Sequence, residues 1–213
     1  MPATTHTDLP LFPLGTVLFP QGLLPLQIFE VRYLDMVGRC KREGTPFGVI
    51  SLVQGSEVEK PGQGHDAQEV FQAVGTLAHI TEFTAPMSGL MQIKCTGGSR
   101  FKVLKQRRLP HGLWVADVSE MDPDQPLEIP QDLQESAQKL GSLIRTLQTR
   151  GVTAEQMPIS MPYELEDCGW VANRWAELLP VPQSVKQDLL ELENPLLRLE
   201  LISDILDRTQ LSF

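Results

Sequence analysis

Cysteine is scarce in this chain. Cys40, Cys95 and Cys168 are all it has, widely spaced and without a CxxC pair, which excludes both a disulfide framework and a zinc ribbon, since each is built from paired spacings. Long apolar runs are missing as well. No stretch approaches the roughly 18 consecutive apolar residues of a membrane-spanning helix, and the opening MPATTHTDLP has neither the basic start nor the apolar run of a secretory signal. A cytoplasmic protein with no membrane partner is expected. Positive charge is in short supply, with 18 basic against 27 acidic side chains. Residues 1 to 121 balance at 11 of each sign, whereas residues 122 to 213 carry 7 basic and 16 acidic groups, so the whole deficit of nine lies in the second part. Such a surface repels phosphate backbones, and nucleic acid is not an expected partner. No glycine is followed by lysine, so the phosphate-binding pattern GxxxxGK[ST] is absent.

What is present divides into two compositions. Up to residue 121 the chain reads as short strands punctuated by glycine and proline, with alternating or continuous apolar residues over 47 to 53, 69 to 83, 89 to 95, 100 to 104 and 113 to 118. One helix interrupts them: Phe29, Tyr33, Met36, Val37 and Cys40 recur at helical spacing over 28 to 40. Pro10, Pro13, Pro20 and Pro25 cannot donate to a ladder, so the first strands should lie at edges or be broken by turns. Residues 55 to 69, GSEVEKPGQGHDAQE, read as an exposed, mobile loop. DPDQPLEIP, residues 122 to 130, reads as a linker. Helical stripes follow over 131 to 149, 167 to 179, 184 to 193 and 195 to 206, with Ser184 and Asn194 as N-caps, Pro195 at a first helical position and Gly151 as a C-cap. These stripes predict a small bundle over 131 to 213.

The run LPLFPLGTVLFPQGLLPLQIFEVRYLDMV (9 to 37) resembles the opening of the Lon protease amino-terminal domain family. FGVISL (47 to 52), VGTLAHI (74 to 80), GGSRFKV (97 to 103) and WVANRWAELLPVPQSVKQDLLEL (170 to 192) continue the match in order. The resemblance implies an α+β fold: an amino-terminal PUA-like β pseudobarrel with one helix, followed by a carboxy-terminal α-helical bundle. It also implies recognition of unfolded or hydrophobic polypeptide, with a protease or a chaperone as a further candidate partner. The ATPase and peptidase segments of full Lon proteases have no counterpart in these residues, so non-catalytic binding, as an adaptor or holdase, is the expectation.

No residue asks for a catalytic role, and neither a metal nor a cofactor is expected. His79, Cys95 and Cys40 lack the paired spacing of a zinc site, and Cys168 has no identifiable base. GGSRF (97 to 101) lacks the closing glycine of a nucleophile elbow and reads as a hairpin turn. The family-matching Phe29, Glu30, Arg32, Tyr33, Gly98, Arg100 and Phe101 read as structural. Glu30 and Arg32, two residues apart, fall on different sides of a helix and should not pair directly, each anchoring to backbone instead. The basic run Arg100, Lys102, Lys105, Arg107 and Arg108 reads as a solvated face or a contact with the acidic helical part. Leu23 and Leu24 in PQGLLP, with Pro86, Met87 and Leu90 in APMSGLM, are the candidate peptide-binding residues, methionine being adaptable to varied partners. The competing expectations are a small-ligand regulatory module and, by fold analogy alone, RNA binding.

Overall fold

The computed structural model describes residues 4–54 and 70–209, so the loop reading of 55 to 69 lies outside the described residues. The chain divides into two units, Met1–Pro123 and Asp124–Phe213. In the first are β1 (Thr5–Leu14), β2 (Leu23–Ile28), α1 (Val31–Glu43), β3 (Phe47–Gln54), β4 (Val70–Met87), β5 (Leu90–Arg108) and β6 (Trp114–Glu120). The strand order is β2-β5-β4-β3-β1-β6, and β5 pairs with β6 as well, so five strands close a ring and β2 stands outside it. β5 serves both partners in turn: residues 91 to 96 pair with β2 and residues 101 to 108 with β6. The pseudobarrel is therefore present, with a single helix among the described residues.

Glycine decides where the ring can be narrow. The fully buried Phe101 ring lies over β3 and β4, where a Cβ on Gly48 or Gly75 would come within 2.8 and 2.6 Å of it. GGSRF is not a hairpin turn, because it lies inside β5. A Cβ on Gly97 would lie 2.1 Å from the Phe19 carbonyl oxygen, so the bare backbone there lets the segment before β2 cross the strand. The turn between β4 and β5 is Ser88–Gly89, flanked by the pair Met87↔Leu90, with Gly89 at φ 80°.

Prolines sit in β1 because that strand changes partners midway. Thr5–Leu11 pairs with β6 and Leu11–Leu14 with β3, so Pro10 and Pro13 each have one side free of the ladder. Pro25 lies in β2, a strand with a single neighbour among the described residues. α1 begins at Val31, three residues later than the apolar spacing suggests, since Glu30 is extended at φ −78°, ψ 134° and forms the N-cap. Its Tyr33, Met36, Val37 and Cys40 pack into a core with Phe12, Leu14, Phe47, Ile93 and Cys95.

In the second unit are a 3-10 turn at Gln131–Leu133, then α2 (Gln134–Thr149), α3 (Cys168–Leu178), α4 (Gln183–Glu191) and α5 (Pro195–Thr209). Asp167 caps α3 by accepting from the Trp170 N–H at 2.7 Å, and Asn194 caps α5 by accepting from Leu196 and Leu197. Ser184 does not cap α4, whose N-cap is Pro182. The proline-rich stretch is bonded to this unit. Glu128 bridges Asp167, the Leu127 N–H donates to the Asp167 carboxylate at 3.1 Å, and Ile129 is buried.

Candidate functional site

Leu23 and Leu24 are both half-buried, and Leu24 packs on the barrel core. Pro86 and Met87 are exposed and Leu90 half-buried around the β4–β5 turn. These candidates do not form one patch. Leu23 pairs with Thr96 and Met87 with Leu90, and six residues along β5 separate the two groups by about 20 Å at strand rise.

The β4–β5 turn has other apolar company. Ile28 pairs with Met91, so Phe29, the next residue, lies at the same end of the ladder as Leu90 and Met87. Phe29 is 55% exposed, Val31 73% and Met87 65%. Beside Phe29 is a cavity of about 110 Å³ walled by Phe12 and Leu14 of β1, Leu26 and Ile28 of β2, and Tyr33 of α1. Phe12 and Tyr33 stack with ring centroids 4.1 Å apart and hold one wall rigid. The helical spacing of Phe29 with Tyr33 suggested a packed side chain, but the extended N-cap takes Phe29 off the helix. No signal in the sequence marks that register.

The same N-cap corrects a second expectation. Glu30 and Arg32 do pair, with Arg32 Nε and Nη2 donating to Glu30 Oε2 at 3.1 and 3.0 Å, because the rule against such contacts requires both residues to be helical. Arg32 Nη1 also donates to the Gly112 carbonyl at 3.0 Å, and Arg108 Nε reaches the same oxygen at 3.3 Å. The start of α1 is thereby tied to the β5–β6 turn, with the guanidinium 4.6 Å from the Tyr33 ring centroid. Arg100 is buried and donates to the Asp122 carbonyl. Gly98 leaves room for the His79 imidazole, which a Cβ would approach to 2.6 Å. Farther along β5, Arg107 pairs with Asp8 at 2.8 Å in a half-exposed setting, while Lys102 and Lys105 are exposed.

Burial sets the chemistry of the thiols. Burial pushes Cys95 up to about 12, with the Cys40 thiol adding to the shift, and it raises Cys40 and takes Cys168 to about 11. Little thiolate exists at neutral pH, so none of the three is an activated nucleophile. Among the described residues no group of three or more His, Cys, Asp or Glu is placed to hold a metal ion. No helix among them is long and apolar enough to cross a membrane. The helical unit has its own, larger cavity of about 510 Å³, lined by Glu128, Gln134, Gln138, Arg145, Leu165 and Glu166 among others.

Comparison with known proteins adds the family context. The family model described as the ATP-dependent protease La (LON) substrate-binding domain matches residues 8–208. Lon protease 2 of Herpetosiphon aurantiacus is 26% identical over 97% of this chain, which spans only 24% of that protein's length. The crystal structure of a Lon N-terminal domain protein from Xanthomonas campestris superposes with a TM-score of 0.70 at 32% identity, covering 93% of this chain and 98% of that one. The N-terminal domain of a Mycobacterium avium complex Lon protease shares the fold at a TM-score of 0.61 and 14% identity, covering 99% and 100%.

Proposed function

Since the chain belongs to the Lon substrate-binding domain family, we propose that its barrel unit binds exposed apolar segments of unfolded polypeptide without cleaving them, as an adaptor or holdase. Substrate recognition is the family's role, and the finer reading is supported by one observation. Phe29, Val31 and Met87 are large apolar side chains more than half exposed, and Phe29 adjoins an apolar cavity in the same unit. Full burial of such a side chain releases roughly 1.5–3 kcal/mol. Starting half-exposed, three of them contribute less, and ordering a flexible partner subtracts more. The result is micromolar binding with little sequence preference, which suits a binder of many clients.

The test is fluorescence anisotropy with a labelled, reduced and carboxymethylated unfolded protein. Micromolar association is expected, weakened about tenfold by Phe29→Ser or Met87→Ser, since each removes roughly 1–1.5 kcal/mol of apolar contact. Both positions are on the surface, so the thermal midpoint should hardly move. Absence of association at high micromolar concentration refutes the reading. A second reading, a regulatory small-ligand site, is favoured only by the 510 Å³ cavity of the helical unit. Stabilisation of the Trp170 and Trp175 fluorescence transition by a small-metabolite panel would support it.

A further inference from the structure

We propose that the polypeptide is held as an added β-strand on the open edge of β2, with one apolar side chain seated in the cavity beside Phe29. This rests on the polypeptide-binding reading above and specifies how the chain is gripped. Among the described residues β2 pairs on one side only, with β5. Which of its backbone groups face outward follows from the bonds that its partner β5 makes. The Gly97 carbonyl accepts from the Gln21 N–H at 2.7 Å and the Gly97 N–H donates to the Gly22 carbonyl at 2.9 Å, a bulge beyond which Leu24, Leu26 and Ile28 face β5 and Leu23, Pro25 and Gln27 face away. Independently, the Lys94 carbonyl accepts from Thr81 Oγ1 on β4 at 3.0 Å. Lys94 therefore directs its backbone groups toward β4, and its partner Pro25 belongs to a pair that exchanges no bonds with it.

The open edge then presents the N–H groups of Leu23 and Gln27 and the carbonyls of Leu23, Pro25 and Gln27. Pro25 costs the β2–β5 ladder nothing, since its missing N–H faces outward. It removes one donor from the open edge, a device that limits permanent edge-to-edge pairing. Donors and acceptors alternating at strand spacing match an extended polypeptide backbone and not a compact metabolite. A second copy of the chain is a poorer occupant. Two six-residue edges, each interrupted by proline, fall far short of the roughly 800 Å² per partner that a stable dimer buries.

Side chains reinforce the choice. Leu24, Leu26 and Ile28 point to the barrel core, so an added strand places its own alternate residues on that face, over the cavity formed with Phe12 and Leu14. A strand alternating apolar and polar residues would seat its apolar set there and leave the polar set in water.

The probe is a fluorescein-labelled nonapeptide alternating valine or phenylalanine with threonine or lysine, together with two analogues N-methylated on one alternate set of amides or the other. Methylation of one set should weaken binding at least about tenfold, and methylation of the other less than about twofold, because only one set faces the β2 edge. Gln27→Pro should cause a comparable loss with an unchanged thermal midpoint, its N–H lying outside the ladder, while Gln27→Ala binds like the parent. If the parent peptide binds and both methylated analogues bind equally well, the strand-addition proposal fails and polypeptide binding stands. If the parent peptide and the unfolded protein both fail to bind, the underlying reading fails. Sedimentation showing a dimer that Gln27→Pro dissolves would assign the edge to a second copy and overturn the proposal.

Discussion

Replacing Asp124 by alanine should destabilise the helical unit severely, although the residue lies in a stretch with the composition of a flexible connector. The reason is Arg198, whose side chain is 1% exposed. Its Nε donates to the Leu189 carbonyl at 2.9 Å and Nη1 to Asn173 Oδ1 at 3.0 Å. Nη2 reaches the Leu192 carbonyl, and both terminal nitrogens grip Asp124, the Nη2–Oδ1 arm at 3.2 Å. The carboxylate supplies two charge-assisted bonds and balances a cation that is almost wholly out of water. Removing one partner of a buried pair typically costs about 3–5 kcal/mol. For a unit of this size a urea slope of about 1 kcal/mol/M converts that to a midpoint lower by about 3 M or more. Trp170 and Trp175 lie in α3 at 4% and 1% exposure, so their fluorescence follows unfolding of this unit. The apolar double replacement Asp124→Leu with Arg198→Met should recover only part of the loss, since it removes both charges together but also takes the guanidinium from the Leu189 and Leu192 carbonyls and Asn173. A midpoint shift under about 0.5 M for Asp124→Ala would refute the reasoning, because it would mean that Arg198 does not depend on this carboxylate.

Two further outcomes are expected of the barrel unit. Gly97→Ala should destabilise it by at least about 1–3 kcal/mol, read by chemical denaturation, because the new Cβ meets the Phe19 carbonyl, a backbone atom that cannot swing away. Glu120 titrates in a setting where burial raises its pKa, but hydrogen bonds from Ser99 and His6 and the charges of His6 and His79 outweigh that and lower it. A folded pKa below the unfolded one gives stability that is full above the ordinary carboxylate range and is lost as pH falls through the folded value. Denaturation midpoints measured between about pH 3 and 6 should fall less steeply on the acid side for Glu120→Gln, and an identical pH profile would contradict the assignment.

Much of the architecture was legible because its signals are local. Asp167 and the pair Asn194–Pro195 announce helix starts by bonds that reach only two or three residues. The stripes of α2 and α3 need only helical periodicity. The division into a strand-rich and a helical half was visible in composition, and the ordered matches along the chain pointed to the Lon amino-terminal domain family. Chain-local rules failed where a contact comes from afar. GGSRF has turn composition, yet its glycines lie inside a long strand because residues 19 to 22 cross there. Asp124 lies among prolines, yet Arg198, 74 positions away, holds it.

The amino-acid order by itself determined the class of fold, the caps at Asp167 and Asn194, the proline positions and the absence of the GxxxxGK[ST] pattern, since each depends on residues adjacent in the chain. Tertiary structure alone decided which apolar residues meet water. Leu23 and Leu24 read as available for binding and Phe29 as packed, but which side chains face outward depends on strand register and on the residue where α1 starts. A slip of one position in the strand register exchanges the buried and exposed sets. Leu24 packs against the barrel core and Phe29 is exposed for that reason, and the bonding face of β2 is set in the same way by its pairing with β5.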